Sequence, residues 1–420
     1  AWEGLKRCLK EGKILLEMTA DAGIIGVKPI NPGPIELDIK IILIGNTSLY
    51  HMLYSNDPDF LELFKVKAEF DTSMDKNEVN LKDYAAFVAM VCSKEKLRHM
   101  SRDGVVRLTE YSSRMAADQN KLSTSFAEIT DIIRESDHWT GVDQLQYIDI
   151  DQVEKTITEK NYRSGLIQDK MGEMVRNGLV VIDTDGEVVG QINGLAVINV
   201  GDSHFGRPNR ITASVGIGRG GIIDIERESA LGGRLHTKGV MIIGGYLTDK
   251  FASSFPLSLV AHIAFEQSYQ EVDGDSASSA ELYAILSCLS DLPINQGIAV
   301  TGSVNQKGEI QAIGGVNDKI EGFFDVCKNH DLTGSQGVMI PQSNVQHLML
   351  RSEIIEAVRD GKFHIYSVHT VDEGIALLTG VEAGDRQADG SFSLESVNHR
   401  VLERLQGIAC SMRDFIKPGI

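Results

Sequence analysis

The 420-residue sequence has no apolar run near the 18 residues of a membrane span, and no signal peptide is visible at its start. Its longest apolar stretches, such as Ile39–Ile44 around Lys40, are only strand-sized. Cysteine is scarce. Cys8, Cys92, Cys288, Cys327 and Cys410 are scattered, odd in number and free of any Cys-x-x-Cys or Cys/His cluster. That pattern implies neither a disulfide framework nor a zinc site, so no metal is expected, and it suits a reducing cytoplasm. Basic residues are outnumbered, 41 Lys and Arg against 59 Asp and Glu, for a net charge of −18. Such a surface argues against nucleic acid as the main partner. No G-x-x-x-x-G-K-S/T phosphate loop occurs anywhere, nor a convincing Walker B run, so the usual cradle for nucleotide phosphates and magnesium is missing. There is no internal repeat and no low-complexity tract.

What is present is an ordinary globular balance, 42% hydrophobic and 24% charged, in a chain long enough for two or three domains. The sequence begins without Met, at Ala1-Trp2-Glu3, directly in a helix-like pattern, as a piece of something longer would. Residues 1–75 alternate short helical and strand patterns, with Asn31-Pro32-Gly33-Pro34 as a turn or loop and Ile39–Ile44 as a buried strand ending in Gly45-Asn46. Residues 76–145 are helical. Leu81, Tyr84, Phe87, Val88 and Val91 share one face, Val105, Leu108, Tyr111 and Met115 a second, and Ile129, Ile132 and Ile133 a third. Residues 146–177 read as one long polar linker helix.

From residue 178 the texture changes to short strands and glycines. Val180–Asp183, Gly194–Val200, Arg210–Ile217, Ile222–Ile225, Val240–Leu247 and Gly337–Pro341 read as strands. Leu257–Glu266 is left open between strand and helix. Ser276–Leu289, Asn317–Lys328, Ser352–Asp360 and Val371–Leu378 read as helices, and residues 383–420 as a closing loop and helix. Gly216-Ile217-Gly218-Arg219-Gly220-Gly221 matches a dinucleotide loop only loosely, because no helix follows it; a simple hairpin is the better reading.

Three blocks carry chemistry. The first is Asp273-Gly274-Asp275-Ser276-Ala277-Ser278-Ser279-Ala280, which places Ser276 at the start of a helix. Free backbone N–H groups there suit an oxyanion, and Gly274 permits a tight entry. The second, Val300–Ile310 with Thr301-Gly302 at its head, reads as a hairpin. The third is Ile313-Gly314-Gly315-Val316-Asn317-Asp318-Lys319. A serine hydroxyl needs a base to take its proton, and a lysine serves when burial keeps it neutral. The plain alternatives are a helix-capping serine, a solvated lysine, and Asp273 as a cap or a loop-orienting residue. A Ser-His-Asp arrangement using His204, His236 or His262 is the rival pairing; none of these histidines has a supporting motif, and His236 reads as structural.

In order and spacing, these blocks resemble the proteolytic domain of the Lon proteases over roughly residues 165–380, and the Gly-Asp-Ser-Ala-Ser-Ser variant after Ala264–Tyr269 is most similar to the Lon B-type branch. The resemblance implies an α/β fold of the ribosomal-S5-domain-2 type over residues 178–382, a Ser276-Lys319 catalytic dyad, and Thr301 assisting the lysine. It also implies homo-hexameric rings that degrade unfolded or damaged proteins. Upstream, the strand before Asn46 and the helices after it resemble the sensor-1 strand and helical lid of an AAA+ module. Asn46 would then be a nucleotide sensor, and ATP and Mg²⁺ would serve the longer parent. Arg114, Arg134, Lys65 and Lys67 stand as unassigned candidates for nucleotide contacts, and no arginine occupies the sensor-2 position near Leu122-Ser123-Thr124. Two other readings remain open at this point: a Lon-like scaffold that does not cleave, and a remodelling protein whose main activity is its ATPase.

Overall fold

Apolar residues recur every three or four positions over residues 78–157, and the computed structural model shows the helices that this spacing demands. The structure describes residues 1–14, 33–201, 203–269 and 271–416. The chain divides into two units, residues 1–71 and 72–420. Among the described residues no helix is long and apolar enough to cross a membrane.

The first unit holds α1 (Trp2–Glu11), β1 (Lys13–Ile14), β2 (Ile35–Glu36), α2 (Thr47–Asn56) and α3 (Phe60–Leu63). Its interior is aromatic: Trp2 stacks on Phe64 at 6.0 Å, and Tyr50 meets Phe60 edge-on at 5.6 Å. The Trp2 indole N–H and Lys6 both bond to Asp57, at 2.6 and 2.9 Å. Residues 39–44, expected as a buried strand, are irregular here, with Ile42 84% and Ile44 95% exposed. A strand needs neighbours for its N–H and C=O groups. Among the described residues of this unit the ladder joins β1 to β2 and leaves the apolar run without a partner. Of the expected Asn31–Pro34 loop, Asn31 and Pro32 lie outside the described residues.

The second unit opens with a helical bundle: β3 (Ser73–Asp75), α4 (Glu78–Glu95), α5 (Arg102–Met115), β4 (Lys121–Ser123), α6 (Phe126–Val142) and α7 (Ile150–Ser164). Asn77 and Ser101 cap α4 and α5, and Asp149 opens α7 with a full capping box. Tyr84, Val88, Val91, Leu108, Tyr111, Ile129, Ile132 and Ile133 form the bundle's core, as their spacing predicts. The expected single linker helix is two helices, α7 and α8 (Leu166–Arg176), separated at Gly165. Nor is α7 a free connector, because Val153 and Ile157 are buried in the bundle core.

The rest of the unit comprises β5 (Glu187–Val188), β6 (Gln191–Val200), β7 (Ser203–Ile217), β8 (Gly221–Asp224), α9 (Ile225–Glu228), α10 (Arg234–Phe251), β9 (Leu259–Phe265) and α11 (Ser278–Ser290). Then come β10 (Ile294–Asn295), β11 (Ile298–Val300), β12 (Ser303–Val304), β13 (Ile310–Gln311), α12 (Val316–Asn329) and β14 (Gly337–Pro341). The last elements are α13 (Ser352–Arg359), β15 (His364–Val368), α14 (Val371–Thr379) and α15 (Val397–Ile416). Seven strands form one mixed sheet in the order β15-β14-β11-β6-β7-β9-β8, antiparallel at β6–β7 and β7–β9 and parallel elsewhere.

Alternate residues of each strand feed two cores. Met339, Ile298 and Val300 face α10, α11, α14 and α15, whereas Val338, Ile340 and Ala299 face α12 and α13. Helices therefore cover both faces of the sheet. The carboxyl-terminal segment belongs to the first of these cores, since α15 buries Val397, Val401, Leu405 and Ile408 there.

Three local expectations are corrected. Val240–Leu247 lies inside α10; Val240, Ile243 and Leu247 are buried at helical spacing, so a run that is apolar enough for a strand is one face of a helix. Val180–Asp183 forms no strand, and only Glu187–Val188 pairs, with Ile294–Asn295. The Gly216–Gly221 segment is not a hairpin. β7 and β8 lie on opposite sides of β9, and the connection passes over Val260, where a Cβ on Gly218 or Gly220 would sit 3.1 or 3.0 Å from that side chain.

Candidate active site

Ser276 lies in a tight turn just ahead of α11, two residues before the helix begins. Gly274 has φ of +105°, a conformation that other residues rarely adopt, so the turn needs glycine there. Hydrogen bonds stitch the turn to the segment after β11. The Ser276 carbonyl accepts from the Gly302 N–H at 2.9 Å and from the Thr301 hydroxyl at 3.2 Å. Ser303 donates to Asp275 Oδ2 at 3.0 Å, the Val304 N–H donates to Ser278 Oγ at 3.1 Å, and the Ser279 N–H donates to the Gly302 carbonyl at 3.1 Å. Ser278 is thus a buried structural hydroxyl, while Ser276 is half-buried with its hydroxyl free for other work. Among the described residues, the Ser276 N–H makes no hydrogen bond.

Lys319 approaches from the other face of the sheet, one turn into α12. The approach depends on two glycines. A Cβ on Gly206 of β7 would lie 2.0 Å from the Asp318 carbonyl, and one on Gly322 would lie 2.2 Å from the Gly206 carbonyl. Helix and strand therefore touch backbone to backbone beside Lys319. Its Nζ reaches Ser276 Oγ at 2.8 Å and Thr301 Oγ1 at 3.1 Å. Lys319 is 2% exposed. Loss of hydration on burial pushes its pKa down to about 8, with the Asp275 carboxylate pulling weakly the other way. Thr301, whose own hydroxyl proton goes to the Ser276 carbonyl, has only lone pairs to offer the lysine. A neutral Lys319 thus gives one N–H to Thr301 and keeps its own lone pair for the Ser276 hydroxyl.

The remaining sequence candidates lie elsewhere. The Asp273 carboxylate accepts the Leu235 N–H at 3.0 Å, and a Cβ on Gly233 would fall 2.3 Å from it, so Asp273 closes the start of α10 rather than that of α11. The backbone N–H of Gly274 and those at the head of α10 hold its pKa below the usual carboxylate range. Asn46 caps α2, its side-chain oxygen accepting the Leu49 N–H at 2.8 Å. Arg114 forms a two-pronged pair with Glu321 of α12, and Arg134 with Glu95. No histidine hydrogen-bonds to Ser276: His204 and His262 are exposed on strands, and His236 is buried among carboxylates.

Sequence reading missed Asp275, Ser303 and the Gly206–Gly322 contact. Asp275 adjoins Ser276 in the chain, but only its partner Ser303 gives it a role. Nothing local marks Gly206, whose partner lies on a distant helix. Two cavities, of about 620 and 670 Å³, run along α12, and neither is lined by Ser276 or Lys319.

The comparisons agree with this architecture. The Lon protease (S16) C-terminal proteolytic domain matches residues 147–379. The archaeal LonB AAA+ ATPase lid domain matches residues 99–163, and the LonB-like AAA domain matches residues 1–71. A putative Lon protease homolog of Escherichia coli is 36% identical over 354 residues, covering 83% of this chain and 60% of that protein. A putative Lon protease homolog of Haemophilus influenzae is 34% identical over 380 residues, covering 90% and 62%. An archaeal Lon protease of Thermoplasma volcanium is 24% identical over 341 residues, covering 78% and 49%. The chain spans about three fifths of the length of the first two of these relatives. With the proteolytic-domain match running over more than half of its residues, the chain belongs to the Lon protease family.

Proposed function

We propose that this chain is a serine endopeptidase in which Ser276 is the nucleophile and Lys319 the general base. The observation that carries the reading is the 2.8 Å contact between Lys319 Nζ and Ser276 Oγ, made by a lysine whose pKa burial lowers to about 8. Neutral Lys319 takes the hydroxyl proton as Ser276 Oγ attacks a peptide carbonyl, and the ammonium then protonates the leaving amine. Water deprotonated by the same lysine hydrolyses the acyl-enzyme. The unpaired Ser276 N–H is the natural donor to the oxyanion. Thr301 orients the lysine, and Asp273 and Asp275 hold the turn to its neighbours. A scaffold that does not cleave would have no use for a dehydrated lysine on a half-exposed serine.

Within this reading the sheet domain is of the ribosomal-S5-domain-2 type, the substrates are unfolded or damaged proteins, the assembly is a homo-hexamer, and the site of action is the cytoplasm. ATP and Mg²⁺ would drive substrate delivery in the whole protein. The residues present do not by themselves fit a nucleotide: the sequence has no G-x-x-x-x-G-K-S/T loop, and Asn46 commits its side-chain oxygen to capping α2. The test is labelling with a fluorophosphonate followed by peptide mass mapping. The label should sit on Ser276 and vanish in Ser276→Ala, with peptide cleavage falling roughly 10³-fold or more. Label on another serine, or cleavage that survives the substitution, would refute the assignment.

A further inference from the structure

Four polar side chains that take no part in the dyad converge in the interior behind the serine turn. Asp224 ends β8, Glu226 lies on α9, His236 on the first turn of α10 and Glu281 on α11, and none is more than 4% exposed. Two of the carboxylates are anchored through one oxygen each. Glu226 Oε1 accepts the Phe265 N–H at 2.8 Å, and Asp224 Oδ1 accepts the Glu226 N–H at 3.2 Å. Their other oxygens, Glu226 Oε2 and Asp224 Oδ2, and the imidazole Nε2 of His236 are buried and make no hydrogen bond among the described residues. One ligand atom from each of the three residues lies within 4.8 Å of the other two. His236 Nε2 and Asp224 Oδ2 are 3.1 Å apart, an ion pair whenever the ring is protonated. On the far side of the ring, Nδ1 faces Glu281 Oε1 at 3.6 Å.

Each of these details is what a cation would require. Several carboxylates and a single imidazole, removed from water together, leave negative charge that the interior solvates poorly. The two carboxylate oxygens left over from that anchoring and a ring nitrogen lie close together without hydrogen bonds, an arrangement of donors that suits a shared ion. Bonds of about 2.0–2.2 Å from a zinc-sized ion to nitrogen and oxygen put ligand atoms about 3–4 Å apart, within the observed spread. A carboxylate behind the second ring nitrogen fixes the tautomer of a metal-binding histidine. Imidazole in the set selects a first-row transition ion over magnesium or calcium.

We propose that Asp224, Glu226 and His236 form a structural binding site for a divalent first-row cation, zinc in particular, with Glu281 holding the imidazole from behind. The site is buried, out of reach of a substrate, which suits a structural ion rather than a catalytic one. It would fasten β8, α9 and the head of α10 to α11. Those elements carry the serine turn: Asp273 closes the head of α10, and α11 begins two residues after Ser276. No local signal marks this site, because Asp224-Ile225-Glu226 and a later His236 match no metal spacing, and His236 reads as structural.

The test uses the whole chain, freed of any affinity tag, stripped with EDTA and reloaded with zinc sulfate. Elemental analysis after gel filtration should find stoichiometric zinc, and stripping should lower the Tm by about 5 °C or more. Asp224→Asn and His236→Asn should lose the zinc, whereas His262→Asn, on the exposed face of β9, should keep it. Glu281→Gln, the variant least liable to disturb folding, should weaken zinc binding roughly 10- to 100-fold. Trace zinc in the reloaded wild type with no Tm change on stripping would overturn the proposal and leave the four groups sharing protons. Stoichiometric zinc that survives His236→Asn and Asp224→Asn would place the metal elsewhere and overturn it equally. Neither readout depends on peptidase activity, so failure here leaves the Ser276–Lys319 reading standing.

Discussion

Residues 39–44 and residues 337–341 are both short apolar runs, yet they have opposite fates. β14 takes neighbours on both sides, β11 and β15, and all five of its residues are buried. The earlier run has no ladder partner among the described residues and leaves Ile42 and Ile44 almost wholly in solvent. Both runs are mostly apolar; the neighbours differ. A run of branched apolar residues records a capacity for pairing, and only adjacent strands turn it into structure. The same contrast separates the candidate chemistry. Asn46, after the earlier run, caps α2, while Thr301, just past the fully paired β11, stands where the turn from one face of the sheet meets the lysine from the other.

Changes made where the packing is tight should have the largest effects. Gly206→Ala drives a Cβ into the Asp318 carbonyl and lifts α12 from the sheet. Steady-state assays should show kcat/KM falling about 10²-fold as Lys319 leaves Ser276, with a loss of about 1–3 kcal/mol of stability from overpacking. Gly407→Ala, on the exposed side of α15 with open space around it, should be neutral or slightly stabilising. Equal behaviour of the two would remove the close approach from the account. Next comes the direct comparison of the two runs. Ile340→Ala should cost about 2–5 kcal/mol of stability by denaturant titration, whereas Ile42→Ala should stay within about 0.5 kcal/mol. A comparable loss at Ile42 would mean that the earlier run is packed after all.

Ser278→Ala sharpens the distinction between neighbouring serines. It removes the acceptor for the Val304 N–H and should cost about 1–3 kcal/mol of stability, with cleavage kept within about tenfold of wild type. Inactivation as complete as in Ser276→Ala would undo the separation of a structural from a reactive hydroxyl. The smallest expected signal is ATP hydrolysis by the purified chain, which should not rise above background for want of a phosphate loop. Turnover measured on the pure protein would contradict that expectation.

Local pattern carried some of this to the reader of the sequence and not the rest. The three faces of the helical bundle were legible because Tyr84, Leu108 and Ile132 sit on unbroken helical periods. The blocks around Ser276, Thr301 and Lys319 were legible because each is contiguous. What failed was non-local. The Gly216–Gly221 connection looks like a hairpin until β9, far along the chain, inserts between β7 and β8. Val240–Leu247 looks like a strand because a helix buried along one side and carrying glycines shows little polar alternation. The Gly206–Gly322 contact and the Asp275–Ser303 bond join distant segments, and no local signal exists for either.

The central claim is that Lys319 works as a neutral base on Ser276. The measurement is kcat/KM for peptide cleavage against pH, in wild type and in Lys319→Arg. Burial lowers the lysine pKa to about 8, so the unprotonated form accumulates, and activity rises, as pH climbs through that value. Arginine keeps the positive charge but stays protonated, so the variant should be inactive across the whole range. A pH-independent wild type, or an arginine variant that retains substantial activity, would show that Lys319 holds Ser276 in place without taking its proton.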